Sequence, residues 1–271
     1  MFSICTIANN LPQYMEMKAS FLQAGFDESR CRYHVFDNSL QNLHDPYKVI
    51  NTVLAEASEP YVIFCHQDLM LDKGHGYEQL IAQLNILSNI DTNWAIAGNA
   101  GCTEDLTLIV KIADPNCFQS YGELPQKVYS LDENFLVIRT ASNLRCSLNL
   151  GGFHLYATDL CLQATKRGQS CYVIDFYLTH LSGGDTSSKD FQQSLVKFKQ
   201  EWNQSFTFCL VCTPCTCFGL SRSRIFQHIL RSGRITGWIR QYIGFYMRTA
   251  YTKMQFQRVM KLLSFKSEYI D

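Results

Sequence analysis

Features that identify several common protein classes are missing from this chain of 271 residues. It has no uninterrupted apolar run of about 18 residues, which argues against a membrane-spanning helix. The opening residues 1–5 include no basic group, so we expect no secretory signal and a cytoplasmic protein. A Gly-x-Gly-x-x-Gly pattern after the first predicted strand is absent, as is a P-loop, which argues against dehydrogenases and nucleoside triphosphatases.

Charge is balanced over the whole chain but unevenly distributed along it. Residues 1–220 contain 14 Lys or Arg and 22 Asp or Glu, whereas residues 221–271 contain 10 and 2. The tail is therefore basic and the body acidic. An acidic body argues against nucleic acid as a partner, and the aromatic residues of the tail follow helical spacing, which indicates a packing face.

The chain contains twelve cysteines. Eight are scattered, and many of them lie in apolar runs, which predicts buried thiols in a reducing compartment. The other four are close together in the tail: Cys209, Cys212, Cys215 and Cys217. Zinc is one interpretation of this cluster, but structural zinc sites usually have their ligands spread over a longer segment, so we favour a site without metal.

Short apolar runs alternate with helical patterns over the first two thirds of the sequence. This order predicts an α/β fold with a mainly parallel sheet and helices on both faces. Turn-forming residues at 99–131 predict an inserted hairpin. We expect one domain at 1–205 and a basic, mainly helical extension at 206–271. An apolar stripe at 235–246 has two open interpretations, a helix docked on the domain or an interfacial helix on anionic lipid.

Polar residues follow three of the predicted strands. They are Asn9-Asn10, Asp37-Asn38 and His66-Gln67-Asp68. Ligands bind at the carboxyl ends of the strands in an open parallel sheet, and Asp68 there suits a hard divalent cation. The alternative is a loop carboxylate that caps the next segment.

Two later segments also combine glycine with titratable residues. Asp159 begins a predicted helix after Gly151-Gly152, and a helix start favours a carboxylate. The glycine pair would let the backbone approach a ligand. His180 ends a predicted strand before Gly183-Gly184. Taken alone, Asp159 is more often a helix cap and His180 more often a structural residue.

Together, these segments resemble glycosyltransferase family two, in its StrF-like branch. The resemblance covers about residues 2–190 and depends on the order and spacing of the motifs. The motifs include the three polar strand ends, Leu131–Arg139, Gly152-Phe153-His154-x-Tyr156-x-x-Asp159-x-Cys161, and Thr179-His180-x-Ser182-x-Gly184.

The resemblance implies a GT-A fold, a Rossmann-like three-layer sandwich, and transfer of a sugar from a nucleotide donor with inversion. The implied donor-binding residues are Asn9, Asp37, Asn38, His66, Gln67 and Asp68. Asp68 and His180 would hold Mn²⁺ or Mg²⁺, although His66 stands where the family has a first Asp. Asp159 would be the general base, although Thr158 replaces the preceding Glu. Asp132 and His154 would lie on the acceptor side.

The implied partners are a UDP-, dTDP- or GDP-linked sugar and a glycan, lipid-linked or small-molecule acceptor, with peripheral contact to the inner face of the membrane through the tail. An alternative function from a different class is a GT-A-like protein that binds nucleotide sugars, or serves as a scaffold, without turnover. The two departures at His66 and Thr158 motivate that alternative.

Overall fold

The computed structural model describes residues 2–71, 74–114, 117–182 and 188–229. The predicted stripe at 235–246 and the glycines at 183–184 lie outside these residues. The helices are α1 (Leu11–Gln23), α2 (Pro46–Glu56), α3 (Tyr77–Ile90), α4 (Tyr156–Lys166), α5 (Lys189–Trp202) and α6 (Arg224–Ile229). The strands are β1 (Phe2–Ala8), β2 (Cys31–Asp37), β3 (Tyr61–Cys65), β4 (Leu69–Met70), β5 (Trp94–Gly98), β6 (Ala100–Cys102), β7 (Leu108–Asp114), β8 (Cys117–Tyr121), β9 (Gln126–Val128), β10 (Ser130–Leu131), β11 (Phe135–Arg139), β12 (Ser170–Val173), β13 (Thr179–His180), β14 (Cys209–Cys212) and β15 (Cys217–Leu220).

The main sheet has the strand order β2-β1-β3-β11-β5-β12-β9. β1 is parallel to β2 and β3, and β5 is parallel to β12. β11 lies antiparallel between β3 and β5, and β9 is antiparallel to β12. Five of the seven strands therefore run in one direction, which confirms the mainly parallel sheet.

Both faces of this sheet are covered. In β3, Val62 and Phe64 belong to one apolar cluster, and Ile63 and Cys65 belong to the other. The first cluster includes side chains of α2, α4 and α5, and the second includes side chains of α1 and α3. A strand that is buried on both faces has a continuous apolar sequence, as 61–65 does. The three-layer α/β architecture is confirmed.

The local sequence explains where the first two helices begin. The Asn10 side chain accepts a hydrogen bond from the Gln13 amide at 3.3 Å, and the Asp45 side chain accepts one from the Tyr47 amide at 3.0 Å. A proline follows in the first turn of each helix. An N-cap oxygen satisfies an otherwise unpaired helical N–H, and proline has no N–H to satisfy there.

A second, six-stranded sheet contains the predicted inserted hairpin. Its order is β10-β6-β7-β13-β4, and β8 also pairs with β7. β13 pairs with both β7 and β4, so this sheet joins the insertion to the segment that follows β3.

Among the described residues, no helix is both long and apolar enough to cross a membrane.

The start of the C-terminal segment, which the sequence predicts to be mainly helical over 206–271, contains two strands before α6. Residues 209–220 form the antiparallel hairpin of β14 and β15. Cys209, Val211, Phe218 and Leu220 belong to the same apolar cluster as α4 and α5, so the hairpin is part of the main core. The apolar residues of this segment alternate as in a β-hairpin, but only the spacing of its cysteines entered the sequence prediction, which did not include the hairpin. Cys212 and Cys217 form a disulfide across the hairpin.

We predict that the contact between α5 and this hairpin is required for stability. Phe198 is fully buried, and its ring lies 5.6 Å from the ring of Phe218. Phe198→Ala should lower the free energy of unfolding by about 3–5 kcal/mol, because it leaves a cavity. Val196→Ala on the exposed face of the same helix should change it by less than about 0.5 kcal/mol. Equal effects in urea denaturation would contradict this packing.

Candidate functional site

The carboxyl ends of the first three strands meet at one edge of the main sheet. Ala8 pairs with Asp37, and Cys5 pairs with Phe64, so the residues that follow β1, β2 and β3 are neighbours. A cleft of about 350 Å³ opens there. It is lined by Ile7, Asn9, Asn38, Asn42, His66, Gln67, Asp68, Phe153 and Ser182. Five of the six predicted donor-binding residues therefore line one cleft.

The pairing of β4 with β13 brings His180 next to Asp68, which lines this cleft. His180 pairs with Leu69, and the Leu181 amide donates a hydrogen bond to the Asp68 carbonyl at 2.9 Å. As a result, His180 Nε2 lies 3.4 Å from Asp68 Oδ2. The two side chains that the resemblance pairs as metal ligands are therefore in contact, and their role as ligands stays a prediction.

His66 joins Asp68 and His180 in a three-residue cluster. His66 Nδ1 lies 3.9 Å from Asp68 Oδ1. One ligand atom from each residue lies within 4.8 Å of the others, a spacing compatible with a single divalent cation. His66 stands where the motif of the resembling family has its first Asp. Its imidazole can therefore serve as a metal ligand in place of that carboxylate.

The surroundings of the cluster favour the protonation states in which Asp68 and His66 can bind a metal ion. Burial opposes ionisation of Asp68, but hydrogen bonds from His180 and Ser182 and the nearby imidazoles lower the pKa of this carboxyl well below its usual range. Burial also lowers the pKa of His66 despite the nearby Asp68. Asp68 is therefore ionised and His66 neutral near pH 7, as metal coordination requires.

A second group of polar residues lies behind His66. His66 Nε2 is 3.1 Å from the Tyr156 hydroxyl, which donates to the Glu133 carbonyl at 3.2 Å. Burial and the neighbouring Asp132 raise the pKa of the Glu133 carboxyl to about 8, against the lowering effect of backbone N–H groups of Leu155 and Tyr156. The Glu133 carboxyl is therefore bound to the start of α4 and stays mostly protonated at neutral pH.

Asp132 is half-buried beside this group. Its Oδ1 accepts hydrogen bonds from the Asn134 amide at 3.0 Å and from the Asn134 side chain at 2.6 Å. Its charge acts on both His66 and Tyr156. Asp132 thus lies near the cluster, and its place on the acceptor side stays a prediction.

The predicted donor-binding residues have different surroundings. Gln67 accepts a hydrogen bond from the Asn10 amide at 2.9 Å and donates to the Asn9 side chain. The Asn38 side chain donates to the His44 carbonyl at 2.9 Å and accepts from the amides of Leu43 and His44, so it fixes the loop that edges the cleft. Asp37 is exposed, its carboxylate accepts from the Ser39 amide at 2.8 Å, and it does not line the cleft.

The loop before α4 is hydrogen-bonded to the start of α2. The Gly152 amide donates to Asp45 Oδ2 at 2.6 Å, and a Cβ at Gly151 would meet the same oxygen at 2.9 Å. The close approach that the glycine pair permits is therefore to Asp45. The His154 ring packs against Phe191 of α5 with centroids 5.3 Å apart, and its carbonyl accepts from the Tyr47 hydroxyl.

Asp159, the predicted general base, lies in the core of the domain. It is fully buried and does not line the cleft. Its carboxylate accepts hydrogen bonds from the Ser147 amide at 2.7 Å, the Ser147 hydroxyl at 2.6 Å and Trp202 Nε1 at 2.9 Å. These contacts join α4 to the 147 loop and α5, and a carboxylate enclosed in this way cannot reach an acceptor hydroxyl without breaking them.

Sequence reasoning missed Tyr156, Glu133 and Ser182 as parts of the site. All three stand inside motifs that carried the resemblance, but contacts between distant segments bring them to the site. Tyr156 and Ser182 contact the cluster, and the Glu133 carbonyl accepts a hydrogen bond from Tyr156. Ser182 donates to Asp68 across 114 residues, and Tyr156 reaches His66 across 90. The sequence holds one local indication of these residues, the hydroxyl of Ser182 two residues after the predicted ligand His180.

Comparisons with known proteins place the chain in a family. No family model matches it. A curated protein of Fuscovulum blasticum described as "ATP synthase subunits region ORF 6" is 32% identical over 213 residues, which are 76% of this chain and 85% of that protein. The chain belongs to the ORF 6 family. The name records a gene region and specifies no activity.

Two solved structures align with this ORF 6 family member, and the first of them shows its fold. GalNAc-T7 with UDP, GalNAc and Mn²⁺ aligns with a TM-score of 0.50 and 8% identity over 76% of this chain and 48% of its own. S. aureus TarS 1-349 in complex with UDP-GlcNAc aligns with a TM-score of 0.49 and 16% identity over 74% of this chain and 66% of its own. The alignments thus span less than two thirds of those chains. The fold is GT-A.

We predict that Asp159 makes stability depend on pH. Burial raises the pKa of Asp159 to about 6, although hydrogen bonds from Ser147 and Trp202 act in the opposite direction. A carboxyl with a raised folded-state pKa stabilises the fold fully below its unfolded pKa of about 4, and this stabilisation is lost as the pH rises through about 6. The loss amounts to about 3 kcal/mol.

Asp159→Asn removes this titration. The difference in unfolding free energy between the wild type and Asp159→Asn should therefore fall as the pH rises from about 4 to about 7. Urea denaturation at several pH values measures it, with Asp190→Asn, an exposed acid on α5, as the control for charge removal. A difference that stays constant with pH would show that Asp159 does not titrate in this range.

Proposed function

We propose that this protein is a metal-assisted glycosyltransferase that uses a nucleotide-sugar donor. The observation that carries the proposal is the cluster of His66, Asp68 and His180 at the carboxyl edge of the sheet in a GT-A fold. An edge of this kind is where open α/β sheets bind ligands. The similarity to GalNAc-T7, crystallised with UDP, GalNAc and Mn²⁺, supports the donor class. Membership of glycosyltransferase family two and its StrF-like branch stays a prediction.

The three candidate metal ligands favour one divalent cation over another. Two imidazoles and one carboxylate suit Mn²⁺ better than Mg²⁺, which prefers oxygen ligands and retains its water. A bound cation would neutralise charge on the donor diphosphate. Around it, Asn9 and Gln67 offer amide groups to the donor, and Asp37 lies beyond the cleft edge, where a nucleoside could extend. UDP-, dTDP- and GDP-linked sugars all present this diphosphate.

The general base is better assigned to Asp132 than to Asp159. An acceptor hydroxyl must come within hydrogen-bond reach of the base. Asp132 is half-buried beside His66 and uses one carboxylate oxygen for Asn134, whereas the carboxylate of Asp159 is enclosed by Ser147 and Trp202. We propose an inverting transfer in which Asp132 accepts the proton of the acceptor hydroxyl, and His154 edges the acceptor side. The acceptor is a glycan, a lipid-linked molecule or a small molecule, and the basic tail would contact the membrane peripherally.

The metal site predicts a defined order of effects on donor binding. Asp68→Asn should weaken Mn²⁺-dependent binding of UDP by about tenfold or more, and His66→Ala and His180→Ala should weaken it less, since the carboxylate carries the charge. Calorimetric titration with and without Mn²⁺ measures this. His34→Ala, an exposed histidine on β2, is the control and should leave binding unchanged.

Several nucleoside diphosphates should be titrated in parallel, because the residues that line the cleft do not specify which nucleobase the donor carries. Melting temperatures of the metal-free variants separate loss of ligation from loss of fold. If the wild type binds none of the nucleotides in the presence of Mn²⁺, or if Asp68→Asn binds them as the wild type does, the metal-assisted donor site is wrong.

Turnover distinguishes the two candidate bases. Asp132→Asn should lower kcat for transfer by about 10²-fold or more while sparing donor affinity, because general base catalysis contributes about 10²–10⁴-fold. Asp159→Asn should change stability and leave kcat within a few fold. Transfer and donor hydrolysis are measured with a panel of nucleotide sugars and acceptors. The reverse order of effects would restore Asp159 as the base.

The alternative function is donor binding without turnover. The enclosed carboxylate of Asp159 favours it, because the residue that the family pattern designates as base is committed to the core. This alternative predicts Mn²⁺-dependent nucleotide binding with no transfer or hydrolysis in the wild type. Measurable transfer that is lost in Asp132→Asn would exclude it.

A further inference from the structure

A second cavity lies outside the cleft, between α5 and the segment from β15 to α6. Its volume is about 770 Å³, and it is lined by residues of α5, the hairpin turn, β15 and α6. This volume is within the range of small-molecule sites. None of the residues that line the cleft around Asp68 also lines this cavity.

The lining of this cavity is cationic and contains no carboxylate. Lys199, Arg224 and His228 contribute basic groups, and Asp and Glu are absent from the described residues that surround the space. The remaining polar lining consists largely of amides: Gln192, Gln200, Asn203 and Gln227. Basic groups without acidic neighbours in a concave surface focus a positive potential there.

Lys199 is the central observation. It is half-buried in α5, and its ammonium lies 5.7 Å from the ring centroid of Phe218. Over residues 2–71, 74–114, 117–182 and 188–229, no carboxylate forms an ion pair with Lys199 or with Arg224. Burial lowers the pKa of Lys199, in keeping with an ammonium that is partly removed from water. Buried charges are normally paired.

The amide of Asn203 is oriented consistently with a ligand in this cavity. Its Oδ1 accepts a hydrogen bond from the Ser221 amide at 3.1 Å, which leaves its NH₂ group as a donor. Arg224 is exposed at the rim and can bind an oxyanion through two parallel hydrogen bonds. Ammonium, guanidinium and amide donors together match a phosphate group attached to a hydroxyl-rich body.

We propose that this cavity is a binding site for a phosphate-bearing ligand, separate from the donor cleft, with Lys199 and Arg224 as its anion-binding residues. The volume leaves space for a polar body of sugar size beside the phosphate. The inference does not depend on the glycosyltransferase proposal, because its test uses no sugar donor and no metal.

The test compares two double variants of the full chain. Lys199→Gln with Arg224→Gln removes two charges from the cavity. Lys197→Gln with Arg222→Gln removes two charges from exposed positions on the same segments that do not line it. Calorimetric titration with inorganic pyrophosphate in EDTA should show binding by the wild type. The cavity variant should bind about tenfold or more weakly, and the control variant should bind as the wild type does.

A second arm distinguishes the source of the phosphate. Flotation with phosphatidylglycerol–phosphatidylcholine vesicles should separate the two double variants only if the ligand is a lipid headgroup. Separation with pyrophosphate alone indicates a soluble phosphate ligand. Arg224→Gln with His228→Gln, both exposed at the rim, replaces the first variant if loss of Lys199 prevents folding. If neither pyrophosphate nor vesicles distinguish the cavity variant from its control, the site does not exist.

Discussion

The short antiparallel pairing between β4 and β13 holds the two halves of the candidate site together. Only Thr179 and His180 of β13 take part, opposite Met70 and Leu69. A shift of one residue in a strand register exchanges its two faces, so it would turn His180 away from Asp68. The fully buried side chains of Leu69 and Leu178 and the bond from the Leu181 amide to the Asp68 carbonyl fix that register. β7 supports the pair from the other side, since the Ala113 amide donates to the Leu178 carbonyl. The inserted hairpin is thus a support for the site as well as an elaboration of the fold.

The sequence predicted the parts of the fold that are set by local pattern. The run at 61–65 is continuous because β3 is buried on both faces, and the helix starts have caps and prolines. The antiparallel place of β11 between β3 and β5 could not be predicted, because a buried apolar strand has the same sequence in either direction. The hairpin at 209–220 was missed for a different reason. Cys209 packs in the main core and Cys212 pairs with Cys217 in a disulfide, whereas the spacing of the four cysteines in the sequence is also compatible with metal binding.

The site shows the same division between local and distant determinants. Asp68 and Asp159 both follow apolar patterns and both lie where a carboxylate is favoured, so the sequence does not separate them. Their environments do. Burial raises the pKa of Asp68, but hydrogen bonds from His180 and Ser182 outweigh it, and the pKa is lowered. Asp159 has only neutral donors in a fully buried position, and its pKa is raised. Burial makes the difference, and Trp202, which helps to enclose the Asp159 carboxylate, stands 43 residues further along the chain.

Helix α5 connects the two candidate binding regions physically. Near its start, Phe191 packs against His154 at the edge of the cleft, and at its end Trp202 bonds to Asp159 of α4. Phe198 is buried between them against the hairpin, so α5 is anchored along its length. A well-packed helix with several such contacts behaves as a rigid element. Lys199 on its outer side is therefore held at a fixed separation from the loop that carries Phe153 and His154. A phosphate-bearing ligand in the cavity lined by Lys199 and Arg224 would therefore bind at a fixed distance from the cluster of His66, Asp68 and His180, without any movement of α5.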